Sequence, residues 1–467
     1  MSKPGTDSNP LRVAIIGAGP TGFYAAEHLL KRDDLIIEVD MFDRLPTPYG
    51  LVRLGVAPDH QKIKSVTKVF DKTASSPKFR FFGYVEFGQD IMLEDLQTHY
   101  HQIIFATGTQ SDRKLGIPGE DLPGSYPATE FVAWYNGHPD YRDFTFDLSR
   151  ERVAVIGVGN VAMDVARILS RTPAELAKTD IADYALEALS QSNIKEVTIL
   201  GRRGPAQAAF TNPEIKELGE MEDAAIFVPA EEAALDPQSQ KWLNENPDKT
   251  TLKKLEIIQS YTTGLAAGKS KRINLRFLVS PVEVIGNETD GIRAVRLVKN
   301  ELYATAAGTL RPRVTNHFEE LPVELIFRSV GYQGSALPGV PFNDNWGVIL
   351  NQKGRILNPD TENPIAGLYT AGWIKRGPSG VIGTNKPDAL ETVSCMIKDL
   401  GDGSITNPAK PDPAAIERLV RERQPQFFSF ADWQKLDEIE VTNGQKLGRP
   451  RVKFTCVEDM LAALGRK

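Results

Sequence analysis

Two glycine-rich turns, GAGPTG at Gly17–Gly22 and GVGNVA at Gly157–Ala162, each lie between an apolar run and a segment of helical spacing. A strand, such a turn and a helix in that order make a unit that seats a dinucleotide pyrophosphate. Its repetition predicts an α/β fold with two Rossmann-like dinucleotide-binding domains. A chain of 467 residues has room for about two or three domains, which suits the pair. Two such sites in one chain suggest that two nucleotides meet, most often for hydride transfer between a nicotinamide and a flavin.

The elements follow in order. Arg12–Ile16 reads as a buried strand, because Val13, Ala14, Ile15 and Ile16 are all apolar. Thr21–Lys31 carries Phe23, Ala26, Leu29 and Leu30 at helical spacing. Ile36–Phe42 is a second strand ending at Asp43, and Gln102–Phe105 is a further one. Gly108–Gly124 is dense in turn formers and predicts a crossing between domains. Arg152–Ile156 opens the second unit, with a helix over about Val161–Ser170. An insertion, Thr172–Lys195, precedes the strand Glu196–Leu200, and the acidic stretch Asp223–Asn246 reads as helical and peripheral. Leu325–Val330 returns to strand character, as does Leu368–Thr370 before Ala371-Gly372-Trp373. The tail Asn407–Lys467 has amphipathic stretches and no readable motif.

Composition excludes several classes. A net charge of −6 gives no global attraction to nucleic acid or anionic lipid. No stretch of eighteen apolar residues occurs, so no membrane span is expected. The first ten residues have neither the apolar core of a secretory signal nor the arginines of a mitochondrial one. Only Cys395 and Cys456 are present, which excludes a disulphide scaffold, a four-cysteine zinc site and a cysteine-ligated iron–sulfur cluster. A cytoplasmic location is the simplest expectation, and no metal is called for.

The chemistry of the turns explains their residues. Gly17 permits the tight turn, Gly19 leaves the backbone open to a pyrophosphate, and Gly22 lets helix and strand pack closely. Asp43 would accept hydrogen bonds from ribose hydroxyls, although it lies somewhat beyond the usual spacing of about 20 residues. In the second unit Gly157 and Gly159 repeat the pattern, and Ala162 takes the last position. No acid ends its second strand. The chain reads Gly201-Arg202-Arg203-Gly204 instead. An acid would repel a 2′-phosphate and two arginines would clamp it, which argues for NADP(H) there and FAD at the first site. A third segment, Trp373–Asn385, is a Gly-rich turn entering a helix, whose N-terminus suits the flavin edge that gains charge on reduction. His60, with Glu214 and Glu217 on one helix face, could orient a nicotinamide and exchange protons.

These residues carry a family. LPTPYGLVRLGVAPDHQKIK at Leu45–Lys64, ATG at Ala106–Gly108 and GRRGPAQAAFT at Gly201–Thr211 resemble the adrenodoxin-reductase-like NADPH–ferredoxin reductases. So do RSVGYQG at Arg328–Gly334 and GWIKRGPSGVIGTN at Gly372–Asn385. The resemblance runs over nearly the whole chain. It implies an NADP domain, 110–326, inserted into a discontinuous FAD domain, 1–109 and 327–467. FAD would contact Gly17, Pro20, Asp43, Leu51, Val85, Trp373, Gly380, Val381 and Ile382. NADP would contact Arg113, Asn160, Val161, Ala162, Arg202, Arg203, Glu214 and Gly380, and His60 with Glu217 match the active-site pair. Asp43 stands where relatives often carry Glu.

The expected activity is hydride transfer from NADPH to FAD, then single-electron transfer to a ferredoxin-type iron–sulfur protein. Arg53, Lys62, Lys64, Lys68, Lys375 and Arg376 are candidates for a basic docking face toward that acidic partner. The alternatives are a quinone reductase, a flavin monooxygenase and a non-catalytic NADP-binding module. A disulphide reductase of this fold needs a redox cysteine pair, and no such motif occurs.

Overall fold

The computed structural model describes residues 3–263 and 268–466. They form two compact units. The first comprises Met1–Val56, His60–Ser111 and Tyr332–Lys467, and the second Ala57–Asp59 and Asp112–Gly331.

In the first unit the strand Leu11–Ile16 lies between Ile37–Asp43 and Gln102–Phe105, parallel to both. Phe79–Gly83 extends the sheet on one side and Pro364–Thr370 on the other, again in parallel. Two short antiparallel strands, Arg355–Leu357 and Asn351–Gln352, finish that edge. Every residue of Leu11–Ile16 is buried, because both sheet faces are covered. Val13 and Ile15 point into one apolar cluster, with Leu29, Val393 and Met396 from the helices Pro20–Leu30 and Asn385–Asp402. Ala14 and Ile16 point into the other, with Phe42, Phe105 and Ile356.

The tail without a motif is part of this core. Phe428, Trp433, Leu436 and Met460 join the first cluster. Glu440, on the helix Phe430–Lys446, is fully buried and receives Arg53 through a fork of two hydrogen bonds, 2.8 and 2.5 Å. Arg451 Nη1, at 3.0 Å, and the Phe454 N–H, at 2.8 Å, also donate to it. Burial alone would raise the Glu440 pKa, yet Arg53 and Arg451 hold it below its ordinary value.

In the second unit six parallel strands run in the order Ser125–Pro127, Leu325–Arg328, Arg152–Ile156, Glu196–Leu200, Lys271–Arg276, Ala224–Phe227. The alternation repeats: Val153 and Val155 enter one cluster, Ala154 and Ile156 the other. A separate antiparallel sheet follows, Val279–Asn287, Gly291–Ala304 and Leu310–Leu321. One expectation changes, and one insertion gains detail. The stretch 223–246 is not wholly helical and peripheral: Ala224–Phe227 is a strand at the sheet edge, since its four residues are all apolar. The insertion 172–195 holds two helices, Pro173–Leu176 and Asp183–Ser190, which bury Leu176, Ala185 and Leu189.

Glu440→Ala would leave Arg53 buried without its acid, while Arg451 keeps Asp437. Removing one partner of a buried ion pair costs about 3–5 kcal/mol. We expect urea unfolding of the variant to show a loss of that order. A change under about 1 kcal/mol would mean that the pair does not hold the tail.

Candidate dinucleotide sites

At the first turn Gly17 has φ +108°, and a Cβ there would lie 2.5 Å from the Ala106 carbonyl oxygen. At Gly19 a Cβ would meet nothing within 4 Å, so this backbone faces open space. Pro20, which has no N–H to waste, begins the helix Pro20–Leu30, and a Cβ at Gly22 would lie 2.2 Å from the Gly17 oxygen. Asp43 accepts the Ala18 N–H at 2.7 Å and the Leu45 N–H at 2.9 Å. Burial raises its pKa, and the two N–H donors oppose the shift. Its own carbonyl receives the N–H of Val85, which is buried. The loop carrying Leu51 is bound here too, through the Tyr49 N–H to the Ala18 oxygen at 2.8 Å. Leu51 itself is exposed.

The strand Pro364–Thr370 delivers Gly372 to the same edge, where a Cβ would lie 2.4 Å from Thr21 Oγ1. Trp373 stacks on Tyr332, ring centroids 5.8 Å apart, and donates from Nε1 to the Ser379 oxygen at 3.2 Å. Arg376 donates to that oxygen at 2.6 Å and to Asn385 Oδ1 at 2.9 Å, which pins the turn that holds Gly380, Val381 and Ile382. Gly380 and Val381 are exposed and Ile382 partly so. The first unit thus gathers Gly17, Gly19, Pro20, Gly22, Asp43 and Val85 with the Gly372 turn on one sheet edge.

The second turn repeats the backbone. Gly157 has φ +133°, a Cβ there would lie 2.1 Å from the Ser329 oxygen, and a Cβ at Gly159 would meet nothing. Asn160 begins the helix Asn160–Ser170 and accepts the Thr211 N–H at 2.9 Å. Val161 is partly buried and Ala162 wholly so. Arg202 and Arg203 follow the strand Glu196–Leu200. Their turn is tied by the Gly201 N–H to the Arg276 oxygen, the Leu278 N–H to the Arg203 oxygen, and Asn300 Nδ2 to the Arg202 oxygen. Both arginines line a cavity of about 490 Å³ whose lining residues include no carboxylate. Burial, then the neighbouring Arg202 charge, lowers the Arg203 pKa. Arg113 is exposed, its N–H bound to the Gly331 oxygen at 3.1 Å.

Glu214 and Glu217 lie on the helix Asn212–Gly219. Glu214 is buried and accepts from Arg167 at 3.0 Å, and Glu217 lies 3.6 Å from the same nitrogen. Arg167 is fully buried and also grips Asp164 at 2.5 Å and Asp59 at 2.7 Å. Sequence reasoning missed this arginine. Its one signal was Asp164, an acid three residues earlier and so on the same helix face. His60 belongs to the first unit, at the head of Gln61–Lys64, whereas Glu217 belongs to the second.

Half of the basic docking set changes. Arg53 is buried against Glu440, and Lys375 is buried against Asp388 at 3.0 Å and Glu391 at 2.7 Å. Lys64 is buried as well. These charges neutralise internal acids or sit away from water. Lys62 and Lys68 are exposed, and Arg376 partly.

Known proteins are similar to this chain over nearly its whole length. A model of the pyridine nucleotide-disulphide oxidoreductase family matches residues 11–221. NADPH-ferredoxin reductase FprA of Mycobacterium tuberculosis is 44% identical over 461 residues, 97% of this chain and 98% of that protein. The mitochondrial NADPH:adrenodoxin oxidoreductase of Bos taurus is 40% identical, over 98% of this chain and 93% of that one. The solved structure of M. tuberculosis FprA in complex with NADPH matches with TM-score 0.91 at 43% identity, covering 98% of this chain and 100% of that chain.

Beside Arg113, the Asp112 carboxyl is raised from its ordinary 3.8 to about 7, by burial that Arg328 at 3.9 Å only partly offsets. A raised acid binds its proton more tightly in the folded chain, so its ionisation costs stability as pH climbs from about 4 to about 7. Asp112→Asn removes that slope. We expect wild type minus variant stability, from urea unfolding, to be larger at pH 5 than at pH 8. Equal differences at both pH values would contradict the assignment.

Proposed function

The chain belongs to the family of NADPH–ferredoxin and adrenodoxin reductases, and from that premise we propose that it is an FAD-dependent NADPH–ferredoxin oxidoreductase. The observation that carries the reading is the contrast between two otherwise matching turns. The first ends its second strand in Asp43, and the second in Arg202 and Arg203 beside a cavity without acids. A carboxylate suits the free ribose hydroxyls of FAD, and paired guanidinium groups suit the 2′-phosphate of NADPH. The open faces at Gly19 and Gly159 leave room for both pyrophosphates. The first unit is therefore read as the FAD domain and the second as the NADP domain.

Bound FAD supplies a two-electron acceptor that can release electrons one at a time. The chain's own residues hold and orient. The N-termini of Pro20–Leu30 and Asn160–Ser170 bind phosphate with free N–H groups. The 377–384 turn, fixed by Arg376, offers small residues at the flavin edge. Glu217, held near the Arg167 guanidinium, and His60 are assigned to orient the nicotinamide and exchange protons there. The acceptor in this reading would be a small iron–sulfur protein. Lys62 and Lys68 are assigned to its docking face, and a cytoplasmic location fits a chain with two cysteines.

The test is anaerobic. NADPH should bleach the flavin of the purified protein rapidly and NADH slowly, and an added ferredoxin should restore the colour. Equal bleaching by both nucleotides would refute the NADP assignment. Failure to reduce any ferredoxin while quinones are reduced would favour a quinone reductase. Arg203→Ala should raise KM for NADPH roughly tenfold to a hundredfold with little change for NADH, since a charge-assisted contact is worth about 1.5–3 kcal/mol. Lys62→Glu with Lys68→Glu should slow ferredoxin reduction at low salt and leave flavin bleaching by NADPH unchanged. Wild-type ferredoxin reduction should itself fall as salt rises.

A further inference from the structure

The cavity beside Arg202 and Arg203 has a second wall. It is formed by the hairpin of Gly291–Ala304 and Leu310–Leu321, through Tyr303, Thr309 and Arg311. Tyr303 and Arg311 are directly opposite on the antiparallel ladder, so their side chains share one face. Glu301 and Arg313 are the next pair on that face, also directly opposite.

The two hairpin arginines are not equivalent. Arg313 is answered: its Nη2 lies 2.6 Å from Glu301 Oε1, and its guanidinium lies over the Tyr303 ring at 5.9 Å. Arg311 is exposed, lines the cavity, and forms no ion pair among the described residues. The arrangement is anchored. Asn300, three residues before Tyr303 on the same strand, donates to the Arg202 carbonyl at 2.9 Å, and to Ser280 Oγ at 2.8 Å. The hairpin and the Arg202-Arg203 turn are therefore fixed to each other within one unit. Three guanidinium groups face about 490 Å³ that no carboxylate lines. Such a set is self-repelling until a small dianion enters.

We propose that Arg311 is a third cation for the 2′-phosphate of NADPH, supplied by the hairpin, and that it contributes to discrimination against NADH. This rests on the reading of the second unit as the NADP domain. Arg311 is exposed, and surface substitutions of this kind leave the fold intact.

The test is calorimetric titration of the oxidised holoenzyme with 2′,5′-ADP and, separately, with 5′-ADP. Arg311→Ala should weaken 2′,5′-ADP binding about fivefold to tenfold and leave 5′-ADP unchanged, with Arg311→Lys intermediate. Steady-state kinetics should show the same rise in KM for NADPH at constant kcat. Arg202→Ala is the internal control. If Arg202→Ala weakens 2′,5′-ADP and Arg311→Ala does not, the proposal falls and the NADP reading stands. If neither does, the NADP reading falls with it. If Arg311→Ala weakens both nucleotides equally, the hairpin contacts the shared adenosine diphosphate, and the assignment to the 2′-phosphate is overturned.

Discussion

In both units the turn leaving the first parallel strand is pressed against the chain leaving the neighbouring strand. Gly17 meets Ala106, and Gly157 meets Ser329, at distances that leave no space for a Cβ. That contact follows from a parallel sheet covered on both faces, where only the C-terminal edge remains open for a ligand. Strand, turn and helix start are then fixed together, and the free N–H groups at the helix start all face one place. The first unit brings two more segments to that edge, the Tyr49 loop and the Gly372 turn, each bound to the glycine-rich turn or to its helix.

Given two matching backbones, the electrostatics at the end of the second strand decide what each binds. Asp43 lies against the turn and is partly satisfied by the N–H groups of Ala18 and Leu45, so it retains acceptor capacity for a hydroxyl. Arg202 and Arg203 have the opposite character. Neither finds an acid in the cavity, and burial, then the Arg202 charge, makes Arg203 costlier to charge. A site that is repulsive when empty binds an anion more selectively than one already neutralised, because the anion relieves the repulsion.

What was legible in the sequence was local. The two fingerprints, Asp43 and the arginine pair lie within one or two elements of each other, and period and turn chemistry read them directly. What was not legible depends on partners far along the chain. Arg53 looked like a surface cation, and only Glu440, 387 residues later, makes it a buried one. Arg167 looked like one more helical arginine, yet three elements bring it Asp59, Asp164 and Glu214. In the antiparallel sheet of 279–321 the strand Leu310–Leu321 is mostly exposed and gives no alternation, and register shifts break the period in its neighbours. Ala224–Phe227 was hidden by acidic neighbours that carry the composition but not the sheet.

The arginines and lysines therefore divide by what answers them. Arg12, Arg53, Arg167 and Lys375 are buried; Arg12, Arg167 and Lys375 each meet two or more acids from their own unit, and Arg53 meets Glu440 through a two-bond fork. A buried cation that lost those partners would face an unpaired desolvation cost, so these serve the fold and are closed to any visitor. Among the described residues Arg202, Arg203 and Arg311 form no ion pair, and all three line one cavity. Their side chains are anchored only through backbone, by Asn300 and by the hairpin register. Cations positioned by the fold but left without counter-charge are preorganised for an anion that the chain does not itself contain, and the 2′-phosphate is the group that distinguishes NADPH from NADH.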